Sequence, residues 1–191
     1  MRVIAGSAGG IRLKTPPHDL RPTMDMVREA AFSALADLVP GARVLDLFAG
    51  SGAYGIEALS RGAAEAVFVD NHPKSIEAIR LNLSNSKLNG TVIRNDVFRF
   101  LQRQEEQFGL VFADPPYAKK RGDRDFAGEL MENESLTKAV NPGGVVVLEC
   151  SPLKELGVFR LWEVTRAKKY GSSHLLFYMH RRPPGDVAVP L

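Results

Sequence analysis

Short apolar runs alternate along the chain with longer stretches in which apolar residues recur every three or four positions. Residues 43–48 (RVLDLF) run apolar into a Gly-rich turn, the pattern of a buried strand. Residues 53–61 read as a helix stopped by Gly62, and 66–70 (AVFVD) as a second buried strand. Pro73 stands where a first helical residue belongs, and Ile76, Ile79 and Leu83 carry an apolar stripe toward Lys87. A third strand is expected over 91–94, a short helix over 97–104 and a fourth strand over 110–113 (LVFA). A helix follows over 126–140, and Gly143-Gly144 punctuates before a fifth strand over 145–149. Two extended stretches, 161–170 and 172–180, then meet across Gly171 with no helix between them. Five strand–helix repeats ending in an antiparallel pair predict an α/β fold, a doubly wound and mostly parallel sheet with an antiparallel edge.

The first forty residues precede this unit. Residues 2–5 and 11–14 flank Gly6, Gly9 and Gly10, so a β-hairpin is expected. Thr23 suits the N-cap of a helix reaching Leu38, with Asp25 in its first turn and an apolar face of Val27, Ala31, Ala34, Leu35 and Leu38. Residues 1–40 therefore read as a hairpin-and-helix appendage and 41–182 as the main domain. Residues 183–191, with Pro183, Pro184 and Pro190, read as an unordered tail.

Composition narrows the class. The 191 residues are 45% hydrophobic and 25% charged, enough for one domain with a real core. The longest apolar runs, such as 145–148, are too short to span a bilayer, and 1–14 lacks a signal-like apolar segment. A single cysteine, Cys150, allows no internal disulfide, so a reducing cytoplasm is expected. His18, His72, His174 and His180 show no metal-ligand spacing with each other or with Cys150, and no metal is expected. The net charge of +3 alone names no partner. Its distribution says more: Arg2, Arg12, Lys14, Arg21 and Arg28 form one cluster, Lys119, Lys120, Arg121 and Arg124 a second, Arg166, Lys168 and Lys169 a third. Brought to one face they would bind phosphates; dispersed, they are solvated charge.

Two segments carry chemistry. Gly50, Gly52 and Gly55 match G-x-G-x-x-G between a strand and a helix, and Asp70 ends the next strand 18 residues beyond Gly52, where a ribose-binding carboxylate belongs. Asp46, four residues before Gly50, suits a cationic or amine-bearing ligand and opposes a pyrophosphate. S-adenosylmethionine, with a sulfonium, an amino group and no phosphate, is thus favoured over NAD. Asp96 meets an adenine amino group or simply caps a helix; both readings stand.

The second segment is Asp114-Pro115-Pro116-Tyr117, at the carboxyl edge of the fourth strand. Two prolines make a rigid turn with no N–H groups. A carboxylate beside a free carbonyl accepts both hydrogens of an exocyclic NH2, and a tyrosine stacks on the ring that carries it. Holding both N–H bonds favours a pyramidal nitrogen whose lone pair aims at a methyl donor.

The pair DLFAGSG and DPPY resembles the class I S-adenosylmethionine-dependent amino-methyltransferases, with their Rossmann-like fold. More narrowly, the chain resembles the bacterial RsmD family, which methylates N2 of a guanine in 16S rRNA. The similarity includes Arg2-Val3-Ile4-Ala5-Gly6, Leu20-Arg21-Pro22-Thr23 with Val27-Arg28-Glu29 and Phe32, residues 45–61 with FAGSGAYGIEALSRGA at 48–63, and residues 112–117. The resemblance implies that Asp46, Phe48, Ala49, Gly50, Gly52, Asp70, Asn71 and Asp96 bind the cofactor. It assigns the amine to Asp114, Pro115 and Pro116 and the base to Tyr117. Arg21, Thr23 and Arg28 are substrate-binding candidates, as are Lys119, Lys120 and Arg121 for RNA phosphates; as alternatives, Thr23 is only a cap, Arg28 a surface charge and 119–121 a charged loop without a partner. The expected partner is 16S rRNA or an assembling small subunit, with no membrane, and a monomer is expected. The DPPY loop is shared with adenine-N6 methylases of DNA and RNA, which is the nearest alternative; an NAD(P)-dependent oxidoreductase and a non-catalytic RNA-binding protein are others.

Overall fold

Strands β1 (Arg43–Leu47), β2 (Glu65–Asp70), β3 (Thr91–Arg94), β4 (Phe108–Ala113), β5 (Val140–Cys150), β6 (Trp162–Tyr170) and β7 (Ser173–His180) form one sheet in the order β3-β2-β1-β4-β5-β7-β6. β1 to β5 are parallel, and β7 runs antiparallel between β5 and β6. The computed structural model describes residues 1–16, 24–117, 122–150, 159–170 and 173–181. The expected tail over 183–191 lies outside them.

Helices α1 (Met24–Leu35), α2 (Ala53–Ser60), α3 (Pro73–Ser86), α4 (Val97–Gln102), α5 (Phe126–Met131) and α6 (Glu134–Ala139) cover the two faces. Strand alternation divides the core accordingly. Val44, Phe68, Leu110, Phe112, Val145, Val147 and Phe177 pack on the side of α1, α2 and α3. Leu45, Val69, Val111, Val146, Leu148, Leu176 and Tyr178 pack on the side of α4, α5 and α6. Two apolar faces on one sheet make this an α/β doubly wound fold. Chain order reverses between β1 and β4, and the register Leu47↔Ala113 places their carboxyl ends side by side. The crevice of such a sheet opens there.

Three element bounds are corrected. The helix expected over 126–140 is two helices, because the Asn133 side chain accepts the Ser135 N–H at 2.8 Å and starts α6 afresh. The fifth strand starts at Val140, paired with Phe108, and a register shift between Phe108 and Leu110 absorbs the Pro-Gly-Gly segment. The expected N-terminal hairpin is present as a short antiparallel pair: Arg2 bridges Arg12, Val3 N–H bonds the Ile11 carbonyl at 2.9 Å and Leu13 N–H the Met1 carbonyl at 3.2 Å. The donors near its turn serve α2: Ser7 N–H bonds the Ser60 carbonyl at 2.8 Å and Ala8 N–H the Ser60 hydroxyl at 2.9 Å. Gly6, at φ +83°, lies so close that a Cβ would sit 1.9 Å from the Ser60 carbonyl oxygen. Val3, Ala8 and Leu13 join the same core as α1 and α2. The helix expected to reach Leu38 ends at Leu35 and tightens into a 3-10 turn over Ala36–Leu38.

Candidate active site

Three left-handed residues in five positions, Phe48 (φ 56°), Gly50 (φ 55°) and Gly52 (φ 76°), curl the chain between β1 and α2. Glycine adopts this region freely; a phenylalanine there is strained and must be held by its surroundings. Phe48 is held edge-on against Phe126 and Phe98, with ring centroids 5.9 and 6.4 Å away. Gly55 is required for packing, since a Cβ would lie 2.3 Å from the Phe68 ring.

Two carboxylates brace this loop from neighbouring strands. Asp46, buried on β1, accepts the Gly55 N–H at 2.9 Å. Asp70, at the end of β2, accepts Gly50 N–H at 2.9 Å through one oxygen and His72 N–H at 2.8 Å through the other. Asp96 caps α4 by accepting the Arg99 N–H at 3.0 Å, so the capping reading is realised, and it also faces the cavity.

That cavity, of about 300 Å3, lies over the carboxyl ends of β1 to β5. Asp46, Phe48, Ala49, Gly50, Asp70, Asn71 and Asp96 all line it, while Gly52 sits behind as the start of α2. Asp114 and Pro116 line its other side, so the structure brings the Gly-rich loop and the β4 tip to one space. Pro115 is buried beneath the tip. Tyr117 is half-buried, its hydroxyl 3.3 Å from Glu149 Oε1 and 3.3 Å from Ser173 Oγ.

Arg28 also lines the cavity and is 1% exposed, so it is no surface charge. Its guanidinium donates to the Arg2 carbonyl and to Asp25 at 3.0 Å, and stands 3.7 Å from Glu57. Arg21, Thr23, Lys119, Lys120 and Arg121 lie outside the described residues, as does His18. Arg2, Arg12, Lys14, Arg166, Lys168 and Lys169 are exposed. Arg124 is exposed as well, paired with Glu129 at 2.7 Å and stacked 4.4 Å over Phe126.

Sequence reasoning passed over Glu149 and Tyr54. Glu149, 4% exposed at the end of β5, lines the cavity and accepts the Tyr54 hydroxyl at 3.0 Å. Tyr54 stacks on Phe112, with centroids 5.0 Å apart. Burial, and then the charges of Glu149 and Asp114, push its phenol well above the ordinary range, so it remains a donor. The missed signal was the pattern VVVLE, an acid at the tip of an apolar strand, as in the segments that hold Asp46, Asp70 and Asp114.

Five carboxylates (Asp46, Asp70, Asp96, Asp114 and Glu149) thus face one buried guanidinium across the cavity. Such a site favours a ligand rich in amines and positive charge. Among the described residues no three His, Cys, Asp or Glu side chains are grouped to hold a metal ion, and no helix is long and apolar enough to cross a membrane.

The family model described as "Conserved hypothetical protein 95" matches residues 1–179. The chain belongs to this family, that of the RsmD-like methyltransferases. YlbH of Bacillus subtilis (strain 168) is 43% identical over 127 residues, which cover 63% of this chain and 69% of that protein. Ribosomal RNA small subunit methyltransferase D of Escherichia coli (strain K12) is 39% identical over 121 residues, 62% of this chain and 61% of that protein, under two thirds of its length. The solved structure of yhhF from Escherichia coli superposes with a TM-score of 0.81 at 32% identity, covering 94% of this chain and 97% of that one.

The fold is the class I methyltransferase fold, and the cofactor expected from the sequence is S-adenosylmethionine. The donor set fits it. Carboxylates on β1 and β2 line the cavity and offer the acceptors that a sulfonium, an amino group and a ribose would need, and the loop at Gly50 has no side chain to block approach.

Proposed function

We propose that this chain methylates the exocyclic N2 amine of a guanine in 16S rRNA. The observation that carries the reading is the shared cavity: the Asp114–Pro116 tip of β4 and the Gly-rich turn after β1 face one another across it. Its support for an RNA substrate is the family membership and the name of the Escherichia coli relative, which places that protein on small-subunit ribosomal RNA.

S-adenosylmethionine supplies an electrophilic methyl group when bound, and Asp46, Asp70 and Asp96 hold its amine, ribose and base. Asp114 and the carbonyl of Pro115 accept the two hydrogens of the target amine. They thereby draw the nitrogen out of conjugation and turn its lone pair toward the cofactor. Asp114 receives the proton that the methylated nitrogen sheds. Tyr117 holds the ring of a base turned out of its stack, a movement cheaper in an RNA loop than in a duplex. Arg21, Thr23 and Arg28 close the site, and Lys119, Lys120 and Arg121 contact phosphates.

Mass-spectrometric mapping of methylated nucleosides in rRNA from cells with and without the gene tests this. N2-methylguanosine at one small-subunit position should vanish with the gene. Loss of an N6-methyladenosine instead, or of a DNA mark, would replace guanine by adenine as the target.

A further inference from the structure

The carboxylates of the cavity follow the order of the strands. Asp96 follows β3, Asp70 ends β2 and Asp46 lies on β1; Asp114 stands at the reversal point after β4, and Glu149 lies beyond it on β5. The first three take the cofactor, so the target base comes in over β4 and β5. There the register Ala113↔Leu148 sets Asp114 and Glu149 side by side, each one residue past that pair.

Glu149 is built as a fixed acceptor. Tyr54 from α2 donates to one of its oxygens at 3.0 Å and Tyr117 from the β4 tip to the other at 3.3 Å. Tyr117 is in turn 3.3 Å from Ser173 on β7. Two phenols on separate elements hold the carboxylate at 4% exposure, so it needs no reorganisation when a base arrives. No step of the methyl transfer uses it.

We infer that Glu149 reads the N1–H of the target and makes the site select guanine over purines whose N1 is bare. The inference rests on the guanine reading above. Guanine presents N1–H beside its N2 amine, so its pairing edge offers donors to both Asp114 and Glu149. Adenine, and likewise 2,6-diaminopurine, presents a lone pair at N1. A buried carboxylate facing that lone pair keeps its two phenols but is repelled where guanine offers a donor, and this kind of mismatch discriminates strongly.

The test uses an rRNA fragment spanning the mapped target, made with guanine or with 2,6-diaminopurine at that position. Both bases carry an N2 amine; only guanine carries N1–H. The wild-type enzyme should prefer guanine by about 10–100-fold in kcat/KM, the range for a charge-assisted hydrogen bond. In Glu149→Gln the amide can donate to a bare N1, so guanine should lose most of that factor while 2,6-diaminopurine holds or gains. S-adenosylmethionine affinity should stay within about twofold. Equal wild-type rates on the two fragments overturn the inference whether or not the variant folds. Equal loss on both fragments, or a loss of cofactor affinity, overturns it too by showing that Glu149 only supports the site. If neither fragment is methylated and adenine RNA is, the guanine reading itself fails.

Discussion

Glu57 accepts the backbone N–H of Ile4 at 2.7 Å, across 53 positions of the chain. Its other oxygen accepts Ala5 N–H at 3.1 Å and Arg61 Nε at 2.6 Å, and Arg28 Nε stands 3.7 Å away, all at 0% exposure for Glu57. One buried carboxylate therefore ties the N-terminal segment, α1 and α2 together. Since α2 begins at the Gly-rich turn and Arg28 lines the cavity, this knot sets the back wall of the site.

Glu57→Gln should cost about 2–4 kcal/mol of unfolding free energy, because an amide nitrogen cannot accept and the buried Arg28 is left with the half-exposed Asp25 as its one counter-charge among the described residues. Urea unfolding reads this out. A change below about 0.5 kcal/mol would show that the knot is not a major support.

Asp114→Ala should lower kcat by about 10²–10³-fold, the loss typical of one oriented polar group at a reacting centre, with cofactor affinity nearly unchanged. Turnover on small-subunit rRNA and calorimetric binding of S-adenosylmethionine separate the two. A parallel fall in affinity would move Asp114 to the cofactor side.

Gly55→Ala should destabilise the protein by about 1–3 kcal/mol, since its Cβ would lie 2.3 Å from a Phe68 ring that is itself fully buried. Phe68→Leu in the same chain should recover part of that loss. Additive costs in the double variant would contradict the contact.

Burial pushes the Cys150 thiol from 9.0 up to about 11 and the Tyr178 phenol from 10.0 up to about 12. The folded state then holds these protons more tightly than the unfolded one. Their contribution is complete below the unfolded values and is lost as pH rises through the folded ones. The urea midpoint should fall between about pH 9 and 11, and Cys150→Ala should make that fall shallower. A flat midpoint over this range refutes the assignment.

The Tyr178 hydroxyl is buried without a hydrogen-bond partner among the described residues, its ring edge-on to Phe159 at 5.8 Å. Tyr178→Phe removes the desolvated group and keeps the ring, so stability should rise by up to about 1 kcal/mol. A clear drop would reveal a partner for that hydroxyl.

Legibility followed the range of the interactions. Residues 91–94 and the start of α2 at Ala53 were legible because apolar runs, Gly turns and helix stripes are local signals. The helix over 126–140 was misread because Asn133 sits within an otherwise periodic stretch, and its cap with Ser135 interrupts what the apolar spacing continues. The hairpin was legible, but its turn glycines said nothing of Glu57 and Ser60, which claim the N–H groups of Ile4, Ala5, Ser7 and Ala8 from more than fifty positions away.

The candidate site divides in the same way. G-x-G-x-x-G and DPPY announced themselves through residue types that backbone geometry demands: left-handed glycines, and prolines without N–H groups. Glu149 and Tyr54 carry no such mark, since a glutamate at a strand end and a tyrosine in a helix are ordinary in isolation. What the sequence determined by itself was the order of strands and helices and the two loops of the chemistry, because both are written in neighbouring residues. Only the tertiary structure decided that β5 lies beside β4, that Glu149 thereby stands next to Asp114, and that Arg28 is buried behind the cavity. Those relations are set by sheet order and by packing between segments far apart in the chain.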